Sequence, residues 1–316
     1  MKTMLVLSMG ALLLAGTLSA QTPVPEWQAG VDKMKSLIQT NPAQASEEVE
    51  ELLKGKNKKN VDLVTSVAHV YLDAGKLTEA QEYLAMAKKA DNKDPKVSVL
   101  EGDIALAQKN IGQACQLYEQ AIYFDPNCKE AYLKYAQAYK SASPALAIEK
   151  LEQLKAVDPN CLEADRELAE VYYSSNRFGK AAEMYAKFID TPLATEDDML
   201  KYAFALFLNH DFEKSLQVAQ KGLQKNARHA AFNRLVMYNN TDLKRYEDAE
   251  KAAHAFFNAS DRADYSYLDY RYYGALLSAL KKYDEAIIEY GKALEKDGTQ
   301  VDLWREISDA HEMNNN

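Results

Sequence analysis

Small residues recur in two columns along this chain, about 34 residues apart, and this periodicity limits the possible folds more than any other feature. The first column is Ala68, Gly102, Ala136, Ala169, Ala203, Met237, Gly274 and Ser308. The second column is Ala80, Ala114, Ala147, Ala181, Ser215, Ala249 and Ala286. An ordinary helical bundle would not hold two columns in phase over seven units. Met237 is the one large residue in either column.

Each unit is predicted to form two helices joined by a short turn. In residues 267–300, apolar side chains flank Gly274 and Ala286 at helical spacing, and residues 281–284 form the turn between them. A small residue on each helix lets the two backbones approach closely, while larger neighbours fill the seam. The sequence therefore predicts an array of helix pairs.

The period and the pattern of small and aromatic residues resemble the tetratricopeptide repeat. The resemblance implies an all-α fold, a right-handed superhelical solenoid of antiparallel helix pairs. We expect a capping helix pair at 21–60, seven units, and a final single helix at 301–316. The seven units are 61–94, 95–128, 129–161, 162–195, 196–229, 230–266 and 267–300. The final helix is expected either to close the array or to begin an eighth unit that this sequence truncates.

The first twenty residues are typical of a secretory signal peptide. Lys2 supplies the positive start, residues 4–16 the apolar region, and Leu18-Ser19-Ala20 the cleavage context. The apolar run is shorter than the roughly 20 residues that span a bilayer. We expect a mature chain from Gln21, exported to the periplasm or the exterior, with no membrane span after signal removal.

Charge and motif content exclude several classes of function. The chain has 38 Lys and Arg against 47 Asp and Glu, a net charge of -9, so a nucleic-acid partner is not expected. The sequence contains no motif of a known nucleophile, phosphate loop or dinucleotide site, and we expect no catalytic residue, cofactor or metal. The acidic run at residues 196–198 follows Thr195 and is better explained as a capped helix start than as a metal site.

The resemblance implies that the first helices of the units line a concave groove that binds peptides or proteins. Two positions in each first helix, four residues apart, are expected to face this groove. They predict a partner-binding site made of Arg166, Phe204, Arg234, Tyr238, Arg271 and Arg305.

Guanidinium groups beside aromatic rings suit an acidic or carboxylate-bearing peptide, because arginine makes bidentate contacts with carboxylates. The alternative is that the arginines pair within their own helices, Arg166 with Glu170 and Arg305 with Asp309. The Lys and Asn pattern of chaperone-binding members of the family is not reproduced.

The expected function is a non-catalytic, exported scaffold or adaptor for a protein or peptide partner. One alternative is a cell-envelope assembly or quality-control factor. Another is the accessory part of a longer envelope enzyme whose C-terminal domain is missing, and a third is a carbohydrate-binding accessory protein. Self-association through the final helix, with Trp304 packed on a second chain, is a further alternative.

Overall fold

A computed structural model describes residues 24–259 and 264–314, and every regular element in these two ranges is helical. The expected all-α fold is confirmed. The predicted signal peptide lies outside the described residues. The described part of the chain divides into two compact units, with the boundary between Asn92 and Lys93.

The N-terminal unit contains two helix pairs, and within each pair the two helices pack against one another. Asn41 and Asn60 each cap a helix by accepting a backbone N–H three residues later, from Gln44 and Leu63. A 3-10 turn, Gly55–Lys59, separates the pairs. The helices are α1 (Gln28–Leu37), α2 (Pro42–Leu52), α3 (Val61–Asp73) and α4 (Leu77–Ala90).

Within the C-terminal unit each helix packs on the next, and first helices also contact first helices of neighbouring pairs. A π-helical turn, Ala255–Ala259, follows α14. The helices are α5 (Pro95–Ala107), α6 (Ile111–Phe124), α7 (Lys129–Tyr139), α8 (Pro144–Val157), α9 (Leu162–Ser174), α10 (Phe178–Phe188), α11 (Glu196–Leu208), α12 (Phe212–Lys225), α13 (Ala230–Asp242), α14 (Tyr246–His254), α15 (Tyr267–Ala279), α16 (Tyr283–Lys296) and α17 (Val301–Asn314).

The small residue of a first helix makes room for a tyrosine ring of the second helix. A Cβ atom added to Gly102 would lie 2.5 Å from the Tyr118 ring, and one added to Gly274 would lie 2.6 Å from the Tyr290 ring. Both tyrosines are buried. Met237 is buried too, and the residue sixteen positions later is the buried Ala253, in the same core cluster. In this pair the large residue lies on the first helix and the small residue on the second. The total volume is thus similar, which explains how the core accommodates methionine in a column of small residues.

Gly222 provides a direct test of this packing. A Cβ atom at Gly222 would lie 2.4 Å from the ring of Phe232, which is fully buried. We expect Gly222→Ala to destabilise the protein, because overpacking costs about 1–3 kcal/mol and the gain in helix propensity is only about 0.5–1 kcal/mol. Gly291→Ala is the matched control, since an added Cβ there meets nothing within 4 Å, and it should stabilise. Urea unfolding followed by circular dichroism measures both, and midpoints that move in the same direction would contradict this packing.

Candidate functional site

The six residues of the predicted binding site all lie on first helices of the C-terminal unit. Arg166 lies on α9, Phe204 on α11, Arg234 and Tyr238 on α13, and the remaining two arginines on α15 and α17. The structure brings Arg234 and Tyr238 together on one carboxylate, whereas Arg166 binds a different one. The four arginines of the site therefore do not form a single ladder of free guanidinium groups.

Arg234 is held by the buried carboxylate of Asp269 on α15. Its Nε lies 2.7 Å from Asp269 Oδ1 and its Nη2 lies 3.1 Å from Oδ2. Nη2 also donates to the carbonyl oxygen of Asp264 at 3.0 Å, and the guanidinium lies over the ring of Phe256. Asp269 has no exposed surface. Arg234 thus connects two neighbouring first helices.

Tyr238 is buried, not exposed in a groove. Its hydroxyl donates to Asp269 Oδ1 at 2.7 Å, and its ring stacks on Tyr272 with 4.0 Å between centroids. Burial, followed by the charge of Asp269, raises the pKa of Tyr238. Its ring fills the space between α13 and α15 and therefore offers little exposed surface to a partner.

The same pairing of an arginine with a buried aspartate occurs two repeats earlier. Asp198 is buried, accepts the backbone N–H and hydroxyl of Thr195, and lies 3.0 Å from Nε of Arg166. The expectation that residues 196–198 begin a capped helix is confirmed by the capping box of Thr195 and Asp198. Asp269 accepts the same two groups from Ser266. In both cases an aspartate that caps one first helix also binds an arginine of the preceding first helix.

The two C-terminal arginines differ in how firmly they are held. Arg271 Nη2 lies 2.7 Å from Glu306 Oε1 on α17, and its Nε also contacts this carboxylate. Arg305 forms an exposed pair with Asp302 at 3.4 Å, and its side chain is 71% exposed. Arg305 therefore pairs within its own helix, but with Asp302 and not with Asp309 as predicted.

Neither of the remaining two predicted residues is fully open to solvent. Arg166 pairs with Asp198 instead of Glu170, because Glu170 accepts the hydroxyl of Tyr185 and the ammonium group of Lys201. Phe204 is partly buried and packs on the core cluster that contains Tyr238. Among the four arginines of the predicted site, Arg305 keeps the most exposed side chain.

A cavity that the sequence pattern did not predict lies on the first helices α13, α15 and α17. It has a volume of about 320 Å³, and we call it the Asp242 cavity. Asp242 accepts a hydrogen bond from the Tyr272 hydroxyl at 2.9 Å, and desolvation raises its pKa. The lining residues are Thr241, Asp242, Leu268, Arg271, Tyr272, Ala275 and Glu306.

A second cavity of about 350 Å³ adjoins the first through Glu306, which lines both. It lies among α15, α16 and α17, and its walls include Tyr283, Ala310 and Met313.

A sequence signal for the Asp242 cavity did exist, because Asp242 follows Tyr238 by four residues, one helical turn further along the same face. Asp242 belongs to neither of the two columns predicted to face the groove.

The described residues include three cysteine thiols of low reactivity. All three cysteines are free thiols. Burial raises the pKa of Cys115 to about 11 and also raises that of Cys128 and Cys161, so little thiolate nucleophile is present near neutral pH. Across residues 24–259 and 264–314, no group of three or more His, Cys, Asp or Glu side chains is placed to hold a metal ion. Nor does any helix in those ranges have the length and apolarity needed to cross a membrane.

Comparison with known proteins gives one family and many similar structures. A tetratricopeptide repeat model matches residues 65–127 and 137–193. No curated protein matches the chain. The structure of PilF from Pseudomonas aeruginosa is 15% identical, with a TM-score of 0.51, and the match covers 66% of this chain and 96% of that one.

Two further solved structures have lower TM-scores. A tetratricopeptide repeat protein from Parabacteroides merdae is 15% identical with a TM-score of 0.47, and the match covers 81% of this chain and 99% of that one. PilW, described as a type IV pilus biogenesis factor, is 17% identical with a TM-score of 0.48, covering 64% and 95%.

At such identities, structural likeness concerns the fold alone. The helix pairs, the repeated small residues and the matched family model point to the same architecture. Residues 65–127 and 137–193 are therefore tetratricopeptide repeats, and the described helix pairs on either side of them have the same architecture.

Proposed function

We propose that this protein is a non-catalytic scaffold that binds a protein or peptide segment along the first helices of its C-terminal unit. The Asp242 cavity carries the proposal, because it is a recess formed by three successive first helices, and its neighbour extends the recess onto the second helix α16. Tetratricopeptide repeat proteins bind protein or peptide partners, and recesses of this size are common recognition sites. Export to the periplasm or the exterior is part of the proposal and is supported by the charge and apolar pattern of residues 1–20.

The arginines contribute to this surface mainly by holding its helices together. Arg166, Arg234 and Arg271 already bind carboxylates of the following repeat. A partner that bound these guanidinium groups would have to displace Asp198, Asp269 or Glu306. Arg305 is the exception, and among the predicted residues it is the best placed for a direct ionic contact with a partner.

A photoreactive amino acid at Leu208 tests the binding surface in cells. Leu208 ends α11 and is 43% exposed, whereas Tyr123 on the second helix α6 is 82% exposed and serves as the control position. We expect a defined crosslinked partner from position 208 and no such adduct from position 123. The purified partner should then bind the unmodified protein at a fixed stoichiometry and keep its mass after incubation, since no catalysis is proposed.

Three results would contradict the proposal. Equal adducts from both positions, or none from either, would remove the surface from consideration. A covalent change in the purified partner would indicate an enzyme. The N-terminal residue of the purified protein addresses export separately: Gln21 supports signal removal, and an N-terminus at Met1 argues against it.

A further inference from the structure

The Asp242 cavity contains an acidic group without a cationic partner. Asp242 Oδ2 accepts the Tyr272 hydroxyl, and its other oxygen has no hydrogen-bond partner among residues 24–259 and 264–314. No lysine or arginine in those ranges forms an ion pair with it. Arg271, the one cation in the cavity wall, is neutralised by Glu306. The formal charge of the lining residues is therefore negative.

Two further features make this charge more attractive to a cation. Asp242 is the last residue of α13, and the partial negative charge of a helix C-terminus adds to that of the carboxylate. The carboxylate is exposed on one side, where a partner can reach it, and burial of its other side raises its pKa. A cation placed beside Asp242 would favour the ionised carboxylate and would also compensate the negative end of the α13 dipole.

The rest of the cavity suits a long aliphatic side chain with a charged end. Leu268 and Ala275 give apolar walls, and the Tyr272 ring gives an aromatic one. Lysine and arginine bury an aliphatic stem against such surfaces and place the cation near carboxylate oxygens or an aromatic face. An acidic side chain would instead meet an unpaired carboxylate and an arginine that is already bound.

We propose that the Asp242 cavity receives a lysine or arginine side chain of the partner, with the cation bound to Asp242. This inference rests on the proposed function, since it specifies the partner that the scaffold recognises. It replaces the acidic partner expected from the arginines with a basic one. The adjoining cavity, walled by Ala310 and Met313, then receives a neighbouring residue of the same extended segment.

A displayed library of random dodecapeptides, selected on the purified full-length chain, tests the inference. We expect the selected peptides to share a lysine or arginine at one position, and the Asp242→Asn variant to lose that preference. The amide still accepts the Tyr272 hydroxyl and keeps the side-chain volume, so the variant should remain folded by circular dichroism. Asp248→Asn removes an exposed carboxylate on α14 and serves as the matched control, which should keep the preference.

Affinity measurements on one selected peptide complete the test. Replacing its basic residue by norleucine should weaken binding to the natural protein roughly tenfold to 100-fold, the range for a hydrogen bond to a charged group. On Asp242→Asn the two peptides should bind equally. Enrichment of acidic residues, or an unchanged basic preference on Asp242→Asn, would overturn the inference and leave the scaffold function standing. If no peptide is selected at all, peptide binding by this surface fails, and the inference fails with it.

Discussion

Replacing Asp269 by alanine is expected to lower the free energy of unfolding by about 3–5 kcal/mol, the usual cost of breaking a buried ion pair from one side. The fully buried carboxylate accepts hydrogen bonds from Arg234, Tyr238 and Ser266. Alanine would leave a guanidinium that is 22% exposed and a buried hydroxyl without their acceptor. Urea unfolding followed by circular dichroism measures the loss.

Asp302→Ala is the control for this prediction. Asp302 also pairs with an arginine, but both side chains are more than half exposed, and such pairs contribute only about 0.2–1 kcal/mol. Arg234→Ala should be nearly as damaging as Asp269→Ala, because it leaves a buried charge uncompensated. If Asp302→Ala and Asp269→Ala lowered the urea midpoint equally, the buried carboxylate would not be the connection between α13 and α15 that its contacts indicate.

The role of Arg234 in stability limits its use in binding experiments. A variant lacking Arg234 would lose stability, and a loss of partner binding would then have two explanations. Arg305 is exposed and weakly paired, so Arg305→Ala can be used without that complication. Asp242→Asn is suitable for the same reason, since it preserves shape and a hydrogen-bond acceptor.

Phe232→Ala is the second change with a large expected effect, again about 3–5 kcal/mol for a fully buried phenylalanine. The ring lies on Gly222 of α12 and beside the ring of His229, 4.6 Å away between centroids. Its removal loses apolar contacts and leaves a cavity between α12 and α13. The measurement is the same urea titration, with Phe232→Leu expected to lose less because it fills part of the space.

A double variant makes this prediction sharper. Gly222→Ala should destabilise the natural protein, but it should stabilise Phe232→Ala, because the ring that its Cβ would meet is gone and alanine favours the helix. The reversal of sign tests the contact itself and not merely the importance of either residue. If the two substitutions changed the free energy of unfolding additively, the Phe232 ring would not be what prevents a side chain at position 222.

The sequence by itself determined the class of fold. Each helix must bury an apolar stripe against its neighbours, so small and large residues recur at intervals set by the helix pair. Gly102 with Tyr118 and Gly274 with Tyr290 are contacts of this kind, each confined to one helix pair. The capped helix start at Thr195 was also predictable, because its hydrogen bonds link residues three apart.

Only the tertiary structure decided the partners of the charged residues and the shape of the candidate site. Arg234 and Asp269 are 35 residues apart, and nothing in their local sequence distinguishes a solvated arginine from one bound to a buried carboxylate. Long side chains reach partners in neighbouring repeats, so their roles depend on how adjacent first helices are placed. The Asp242 cavity has the same origin, because its walls come from α13, α15 and α17. Periodicity records the contacts that every unit repeats, whereas charge pairing and cavities arise from the residues in which the units differ.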